Sequence, residues 1–481
     1  MTWRLFWRLL LALALTLFTL IVLLLAALWA ANRQDDPLLP ELARLTRFAP
    51  PAPPAMRRNG YFALIALNAP ADESPQLTGE RIFSEQARCH LRRISTYTSA
   101  RASSCANTAD AAPGRYPPTL QIPRELLCPN GADCAAHYAA HAPAIDALLA
   151  QQQTVLRRYQ AVLQAPVYEE IVVPDLEAPL PHYRDWRMAS EMLGMQAARL
   201  LPTRPEQALR LLVTNARIHQ RLLAGSRNLM SGMSLLAMQV RHQRLISDLL
   251  RQRPALAARH LSAWQDALQA PAFVLEPALR GEIRWVLGAL TLEMTRQTAG
   301  QQRLLPSDTD ISTTLFELLQ PWLILPNATL NSQWRNYCHA LEQALQPPNA
   351  PAQAAATATS CDQPVPGAPE IAPWLQNLRN LLGTGLALMS GGHFPDYAQR
   401  AHDAEGHRRM VLLQLHAYAR RVPLPDMPAW LQTTPPEWRN PYTQTPFAWD
   451  AAQSSLIFEG RQRQTQNADA SATWRVPLGR P

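Results

Sequence analysis

The stretch Ser226-Arg-Asn-Leu-Met-Ser-Gly-Met-Ser-Leu-Leu-Ala-Met-Gln-Val-Arg-His-Gln-Arg-Leu-Ile-Ser-Asp-Leu-Leu250 carries a clear helical pattern. Apolar side chains and one histidine recur along it at alternating spacings of three and four residues: Leu235, Met238, His242, Leu245 and Leu249. This spacing places them on one face of an α-helix. An apolar face of this length has to pack against other elements, so it predicts a helical core around it.

Comparable periodicity lies on both sides of this stretch, over residues 145–163, 186–200, 206–223, 255–269, 280–298, 332–346, 372–389 and 398–420. Proline-rich turns separate several of these segments, as at Pro202-Thr-Arg-Pro205. The tetratricopeptide period, with its repeated Trp, Gly-Tyr, Ala and Pro positions, is not present. We therefore predict a mainly α fold, built as an irregular helical bundle or an α-solenoid.

Two short β elements are expected beside the helices. Tyr61–Leu67 is a run of apolar and aromatic residues between residues that interrupt regular structure, and it favours a buried strand. Near the C-terminus, Phe447–Trp449 and Leu456–Phe458 flank a polar turn and predict a β-hairpin. The polar residues after the hairpin are expected to fray.

An uncharged apolar segment, Leu9–Ala31, lies near the N-terminus. At about 1.5 Å per residue it spans roughly 34 Å as a helix, enough to cross the hydrocarbon core of a bilayer. A cleaved signal peptide is the alternative, but its apolar region normally has about 7–15 residues and ends in a small-x-small site. Trp29 stands where a site ending at Ala31 needs a small side chain. The sequence therefore favours an uncleaved transmembrane anchor.

The charges around this segment predict its orientation. Arg4 and Arg8 precede it, whereas Arg33 is followed by Asp35 and Asp36. Because basic residues stay preferentially on the cytoplasmic side, the short N-terminal tail is expected in the cytoplasm and the bulk of the chain in the periplasm. The protein is thus predicted to be a single-pass protein of a bacterial inner membrane.

Six cysteines follow the anchor: Cys89, Cys105, Cys128, Cys134, Cys338 and Cys361. An even number in polar, Pro- or Ala-rich surroundings indicates disulfides in an oxidising compartment. Several connectivities are open, and pairing of sequence neighbours (Cys89–Cys105, Cys128–Cys134, Cys338–Cys361) is preferred because it closes short loops at low entropic cost. A zinc site is not favoured, since the CxxC spacing is absent.

Shifts in composition divide the chain into successive regions. They are a cytoplasmic tail (1–8), the transmembrane anchor (9–31), a Pro-rich and partly extended stalk (32–58), a cysteine-containing mixed region (59–135), a helical domain (136–346), a Pro/Ala-rich loop (347–370), a helical hairpin (371–425) and a tail with the β-hairpin (426–481).

The composition excludes several kinds of chemistry. The formal net charge is +8, and all 45 basic residues are arginine, so a Schiff-base lysine and a phosphate-loop lysine are both excluded. The motifs Gly-x-Ser-x-Gly, His-Glu-x-x-His and Gly-x-Gly-x-x-Gly are absent. No residue is therefore predicted to be catalytic, to ligate a metal or to bind a cofactor, and an enzyme is the less favoured class.

Paired carboxylates keep a second class of function open. Glycan hydrolysis needs two carboxylates that the fold places together, and Glu169-Glu170 or Asp308 with Asp310 are candidates. His242 lies within the apolar stripe and is predicted to be a hydrogen-bonded core or interface histidine. His402 and His407 are five residues apart and are expected to form part of a polar helix N-terminus.

Adjacent arginines suggest contacts with anions. Arg408, Arg409, Arg420 and Arg421 are the candidates for contact with an anion or a partner through bidentate guanidinium bonds. Outside the cytoplasm, nucleic acid is not expected; anionic lipid headgroups or the acidic face of an envelope or membrane protein fit better. A solvated, partly salt-bridged surface is the plainer interpretation.

Two segments resemble known proteins. Asn59-Gly-Tyr-Phe-Ala-Leu-Ile-Ala-Leu-Asn68 and the tail Asn440-Pro-Tyr-Thr-Gln-Thr-Pro-Phe447 are similar to pieces of uncharacterised single-anchor envelope proteins of high-GC bacteria. The tail also resembles the end of pseudopilin-like proteins, although Asn440 and Gln444 replace the Asp and Gly of that pattern. The resemblance covers a small part of the chain, and it implies an envelope location and no activity.

These observations predict a membrane-anchored periplasmic protein that acts by binding, as a scaffold or accessory component of an envelope assembly. The single anchor, the disulfide-compatible cysteines and the absence of catalytic motifs favour this class. A cell-wall-directed hydrolase with paired carboxylates is the alternative. A deep cleft with two carboxylates about 5–9.5 Å apart would favour the hydrolase.

Reporter fusions test the predicted topology. A periplasm-active reporter fused after residue 60 is expected to be active, because the anchor should deliver that position across the membrane. A cytoplasm-active reporter at the same position is expected to be silent. Reporter activity in whole cells is the measurement, and the reverse pattern would contradict the orientation.

Overall fold

The chain, in a computed structural model, is mainly helical and ends in a small antiparallel sheet. The structure describes residues 3–95, 117–176, 178, 180–269, 275–298, 322–349, 360–362, 364–390, 394–464 and 467–479. The described α-helices are α1 (Trp3–Asn32), α2 (Pro40–Leu45), α3 (Pro53–Arg58), α4 (Gly60–Ile65), α5 (Pro75–Ser95), α6 (Cys134–Ala140), α7 (Ala142–Gln151), α8 (Gln153–Ala161), α9 (Tyr183–Leu200), α10 (Pro205–Gly225), α11 (Leu229–Gln252), α12 (Ala255–Arg259), α13 (Leu261–Ala267), α14 (Glu276–Thr298), α15 (Pro326–Ala344), α16 (Leu381–Ser390), α17 (Phe394–Ala419) and α18 (Met427–Gln432). The described strands are β1 (Ala448–Asp450), β2 (Ser455–Gln464) and β3 (Asn467–Pro477). A mainly α fold with an N-terminal apolar helix and a C-terminal β element is therefore confirmed.

Helices α9, α10 and α11 form the centre of the fold, and α17 packs across α11. The apolar stripe predicted for residues 226–250 faces this centre, since Leu235, Met238, Leu245 and Leu249 are all buried. Helix α11 starts where Asn228 accepts a hydrogen bond from the Met230 N–H through its side-chain oxygen, at 2.8 Å. Such a cap satisfies a donor that the helix itself leaves free. Periodicity and capping together therefore specify the central helix.

The strand predicted at residues 61–67 is wrong, because Gly60–Ile65 is helix α4. The Asn59 side chain caps this helix by accepting from the Tyr61 N–H at 3.1 Å. Helix α4 is buried on nearly every side, and Gly79 of α5 lies directly on it: a Cβ at Gly79 would be 1.8 Å from the Phe62 carbonyl oxygen. A short apolar run buried all round has no periodicity that separates a strand from a helix.

Residues 32–58 also differ from the partly extended stalk that was predicted. They contain α2 and α3, and Leu39, Leu42 and Met56 lie in the hydrophobic core. Each of the two helices begins with proline at its first or second position. Proline is favourable there, since the first turn has no partner for its N–H. A proline-rich composition is thus compatible with short packed helices as well as with an extended chain.

Helix α1 is the N-terminal apolar helix. Within it, Phe6–Asn32 is long and apolar enough to cross a membrane, and in the described part of the chain it is the one helix that meets this test. Its leucines are exposed along most of the length, whereas Leu28, Ala31 and Asn32 at its end are buried against the folded domain. The apolar helix therefore joins the domain directly.

The C-terminal sheet has the order β1-β2-β3, with both pairs antiparallel. Strands β1 and β2 form the predicted hairpin. The residues after it were expected to fray, but they form β3, and Val476 and Leu478 are buried. The sheet docks on α17 where the Phe458 ring lies against Gly406: a Cβ there would be 2.4 Å from the Phe458 Cε1 atom. The absence of a side chain at Gly406 therefore allows this contact.

Two of the predicted disulfides are present. Cys128 pairs with Cys134 at a Cα–Cα distance of 5.3 Å, and Cys338 pairs with Cys361 at 5.7 Å. Cys89 is also disulfide-bonded, but its predicted partner Cys105 lies outside the described residues. The carboxylates Asp308 and Asp310, and residues 350–359 and 363 of the predicted loop at 347–370, lie outside them as well.

Substitution of Gly406 tests the docking of the sheet. Gly406→Ala is expected to lower the free energy of unfolding by roughly 1–3 kcal/mol, because the methyl group would overlap the buried Phe458 ring. Gly385→Ala in α16 is the matched control: no atom would lie within 4 Å of its Cβ, and it should be neutral or stabilising by up to about 1 kcal/mol. Urea unfolding of the detergent-solubilised protein, followed by circular dichroism, measures both. Equal midpoints for the two variants would contradict the prediction.

Candidate functional site

A polar cavity of about 800 Å³ lies between α9, α11 and α17, the Cys128–Cys134 loop and the C-terminal sheet. Arginines and carboxylates from all of these parts except α17 line it: Arg187, Arg241, Arg244, Arg251, Arg475, Asp133, Glu191 and Asp248. Guanidinium groups thus outnumber carboxylates. Because the walls are protein rather than water, this excess creates a positive potential inside the cavity.

Glu191 on α9 is engaged by the walls of the cavity. Its Oε1 accepts a hydrogen bond from Arg241 Nη1 at 2.9 Å, and its Oε2 accepts from the Tyr138 hydroxyl at 3.2 Å. The ion pair joins α9 to α11, and the tyrosine joins both to α6. Glu191 therefore fastens three helices and has no oxygen left without a protein partner.

The Cys128–Cys134 loop forms one rim of the cavity and is fastened to α11. Asp248 Oδ2 accepts from the Cys134 N–H at 2.8 Å, and Asp133 pairs with Arg251. Gly131 has φ +81°, a conformation that favours glycine. Burial raises the pKa of Asp248 to about 6. Both carboxylates hold the loop in place rather than facing open space.

Arg187 and Arg244 differ from the other charged groups of the cavity. Among the described residues, no carboxylate oxygen lies within 4.0 Å of either guanidinium, and the buried Nε of Arg187 has no hydrogen-bond partner. Arg244 lies over the Trp474 ring, 5.5 Å from its centroid. Burial and the neighbouring Arg241 lower the pKa of both arginines, yet a guanidinium stays charged at neutral pH. The cavity therefore contains two cations whose charge the protein does not balance by a direct contact.

Below the cavity lies a cluster of buried polar side chains from three helices. The Ser190 hydroxyl is 2.8 Å from His219 Nε2, and Asn215 Nδ2 donates to the Ser190 carbonyl at 3.2 Å. Asn215 Nδ2 is also 3.4 Å from His242 Nδ1. Burial lowers the pKa of His242 to about 4 and that of His219 well below its ordinary value. Both histidines are therefore neutral at pH 7, and the prediction of His242 as a hydrogen-bonded core histidine is confirmed.

His407 reaches the cavity from α17. Its Nδ1 lies 3.2 Å from Gln243 Oε1, and its ring packs against Trp474 with 5.1 Å between centroids. Burial, with a smaller effect of Arg244, lowers the pKa of His407 to about 3. Helix α17 begins at Phe394, so His402 and His407 lie inside the helix and not at its N-terminus. His402 does not line the cavity.

The arginines predicted to contact an anion do not come together around this cavity. Arg408 and Arg409 both donate to Glu405, with three bonds of 2.7 Å. Burial raises the pKa of Glu405, but the two arginines outweigh this effect and hold it below its ordinary value. Arg420 and Arg421 are exposed just after the end of α17. A role of these four residues in partner contacts stays a prediction.

The carboxylates of Glu169 and Glu170 differ in burial and in their partners. Glu170 is buried and accepts from the Tyr183 hydroxyl at 2.8 Å, the Arg227 N–H at 2.8 Å and the Ser231 hydroxyl at 2.5 Å. Glu169 is largely exposed and pairs with the Arg227 guanidinium at 3.2 Å. Both residues line a smaller cavity of about 320 Å³. Glu170 fixes the turn before α11, and both carboxylates accept hydrogen bonds from Arg227.

Among the described residues, Cys338, Glu342 and Cys361 are close enough together to hold a metal ion. The two sulfurs are joined in a disulfide. A metal ligand must be a thiolate, so this group could bind a metal only after reduction of the disulfide.

The cavity arginines were not predicted from the sequence, although part of the signal is visible in α11. Charged residues recur there at spacings of three, four and three residues: Arg241, Arg244, Asp248 and Arg251. They lie on the helix face next to the apolar stripe. A charged stripe directly beside a buried one can indicate a lined cavity. Arg187 and Arg475 lie far away in sequence, and nothing in the sequence connects them to α11.

Comparisons with protein-family models, with curated proteins and with solved structures find no match for this chain. The function therefore has to be argued from the cavity and from the apolar N-terminal helix.

Acidification tests the buried histidines. The pKa of His407 is about 3 in the folded protein, whereas an unfolded histidine titrates near about 6.5. The folded protein therefore binds fewer protons between these values, and the free energy of unfolding falls as the pH decreases below about 6.5. His407→Gln, which does not titrate, should remove up to about 2 kcal/mol of the loss between pH 7 and pH 5.

Urea unfolding at pH 7 and pH 5 measures this effect. The raised pKa of Asp248 acts in the opposite direction, but it is common to both proteins and cancels in the difference. His260→Gln, outside the cavity lining, is the matched control and should keep the wild-type loss. An unchanged loss in His407→Gln would contradict the assignment of a neutral, buried His407.

Proposed function

We propose that this protein is a membrane-anchored binding protein of the bacterial envelope, whose folded domain lies in the periplasm and takes an anionic ligand into the arginine-lined cavity. The observation that carries the proposal is the presence of two guanidinium groups, Arg187 and Arg244, without a direct carboxylate contact in a partly enclosed space. Unbalanced charges in such a place are unfavourable for folding, and they are typical of sites that bind a charged ligand.

The location is supported by the N-terminal helix and the disulfides. Helix α1 is apolar enough to serve as a membrane anchor, and Cys128–Cys134 and Cys338–Cys361 are paired. Disulfides persist in oxidising compartments such as the periplasm. A role as an accessory component of an envelope assembly, in contact with another envelope or membrane protein, is part of the same proposal.

Binding is better supported than hydrolysis. A glycosidase needs one carboxyl group free to act on the sugar and a second one opposite it. In the cavity, Asp133, Glu191 and Asp248 all accept hydrogen bonds from the protein. Of the charged groups in the lining, the two without a direct ion pair, Arg187 and Arg244, are cations, which favours capture of an anion over acid–base chemistry with carboxylates.

The walls of the cavity suggest the chemistry of the ligand. Guanidinium groups bind phosphate or carboxylate oxygens through paired N–H donors. Met238, Leu245 and the Trp474 ring also line the space, so part of the ligand could be apolar. A volume of about 800 Å³ fits a small molecule. The ligand is therefore expected to be a small molecule with a phosphate or carboxylate group.

Substitution of the two unpaired arginines tests this function. Inorganic pyrophosphate is expected to bind the wild-type protein in isothermal titration, and the double variant Arg187→Gln/Arg244→Gln should bind at least about tenfold more weakly, because two charge-assisted contacts are lost. Without ligand, the double variant should be no less stable than the wild type, since its repulsion with Arg241 is reduced.

Arg210→Gln is the matched control, because Arg210 is exposed on α10 and does not line the cavity. It should keep the wild-type affinity, and chloride at equal ionic strength should not compete. Equal binding by the double variant and the control would show that pyrophosphate binds elsewhere, and it would contradict the proposed site.

A further inference from the structure

The end of helix α1 is bonded to the segment before α16. Asn32 Nδ2 donates to the Leu378 carbonyl at 2.9 Å, and the Asn380 N–H donates to Asn32 Oδ1 at 2.7 Å. Arg379 Nη1 donates to the Ala31 carbonyl at 2.9 Å. Asn32 is buried. Helix α16, which starts at Leu381, therefore begins at the point where the apolar helix enters the folded domain.

Helix α16 buries small residues and exposes large apolar ones. Gly383 and Ala387 are buried against α15, where a Cβ at Gly383 would lie 2.0 Å from Thr329 Oγ1. Leu381, Leu386 and Leu388 are exposed, Leu388 by 71%. A helix that faces water normally buries its large apolar residues and exposes polar ones. No charged residue occurs in Leu381–Ser390.

An exposed tryptophan extends this apolar surface. Trp374 is 71% exposed and lies in the 3₁₀ turn Pro373–Leu378, which packs against α1. Trp29, near the end of α1, is exposed as well. Tryptophan is enriched where membrane proteins pass from the hydrocarbon core to the headgroups. Trp374 and the three leucines are thus exposed apolar side chains on Pro373–Leu378 and α16, the two segments that meet at the Asn32 contacts at the end of α1. These four residues are called the apolar surface.

We infer that this surface, formed by Trp374, Leu381, Leu386 and Leu388, inserts into the lipid bilayer beside α1 as a second, interfacial attachment. The inference rests on the proposed function in one respect, that α1 is in a membrane. Lipid is the occupant because both segments that carry these side chains are bonded to the end of α1 through Asn32, and because none of the four residues is charged. At about 1.5 Å per residue α16 is far too short to span a bilayer, so it lies in the interface.

Photo-crosslinking in full-length protein tests this attachment. p-Benzoyl-phenylalanine replaces one residue at a time in protein reconstituted into phosphatidylethanolamine–phosphatidylglycerol vesicles, and mass spectrometry detects lipid adducts. The test positions are Leu388 and Trp374. Leu17 in α1 is the positive control at 58% exposure, and Leu77 in α5 is the matched negative control at 63% exposure.

Lipid adducts at Leu388, Trp374 and Leu17, with none at Leu77, are the expected result. Adducts at Leu17 alone would overturn the second attachment and leave the anchor intact. The absence of adducts at Leu17 would instead overturn the anchoring on which the inference rests. Lipid adducts at Leu77 as abundant as those at Leu388 would overturn the second attachment. Crosslinks from Leu388 to a second copy of the chain in place of lipid would overturn it too.

Discussion

Hydrogen bonding among four buried polar side chains holds the central helices in one relative position. The four are Ser190 on α9, Asn215 and His219 on α10, and His242 on α11. Leaving such a group without a partner costs about 1–3 kcal/mol, so a shift of one helix against another is unfavourable. The same arrangement brings Arg187 on α9 next to Arg241 and Arg244 on α11. The polar cluster in the core therefore also determines the geometry of the cavity above it.

The arginines of the cavity have two different roles: some pair with carboxylates and stabilise the walls, and others are proposed to bind the ligand. Arg241 and Arg251 pair with carboxylates and fasten the walls. Arg187 and Arg244 add charge without a direct carboxylate contact, and this charge lowers stability while it favours an anionic ligand. Because a guanidinium does not lose its proton at neutral pH, the site stays charged under all physiological conditions. Arginine suits this task better than lysine, which the chain lacks altogether.

Periodicity allowed the sequence to predict the helical fold, and long-range packing limited what it could predict of the site. The stripe from Leu235 to Leu249 has a clear helical spacing, and short cysteine spacings predicted two disulfides. Gly60–Ile65 was misassigned because burial on all sides removes the periodic signal. The cavity could not be predicted, since Arg187, Arg244 and Trp474 come together only through the docking of α9 and β3 against α11.

The acidic residues after α1 have a structural role that their charge pattern does not reveal. Asp35 accepts from the Asn327 N–H at 2.8 Å and the Ala328 N–H at 3.0 Å, which caps α15. Asp36 pairs with Arg379 at 2.6 Å. Both carboxylates therefore tie the end of α1 to the domain, and Asp36 neutralises the charge of Arg379, which lies just before α16. Since acidic residues contribute little to membrane orientation, the predicted topology depends on Arg4 and Arg8 against Arg33 alone.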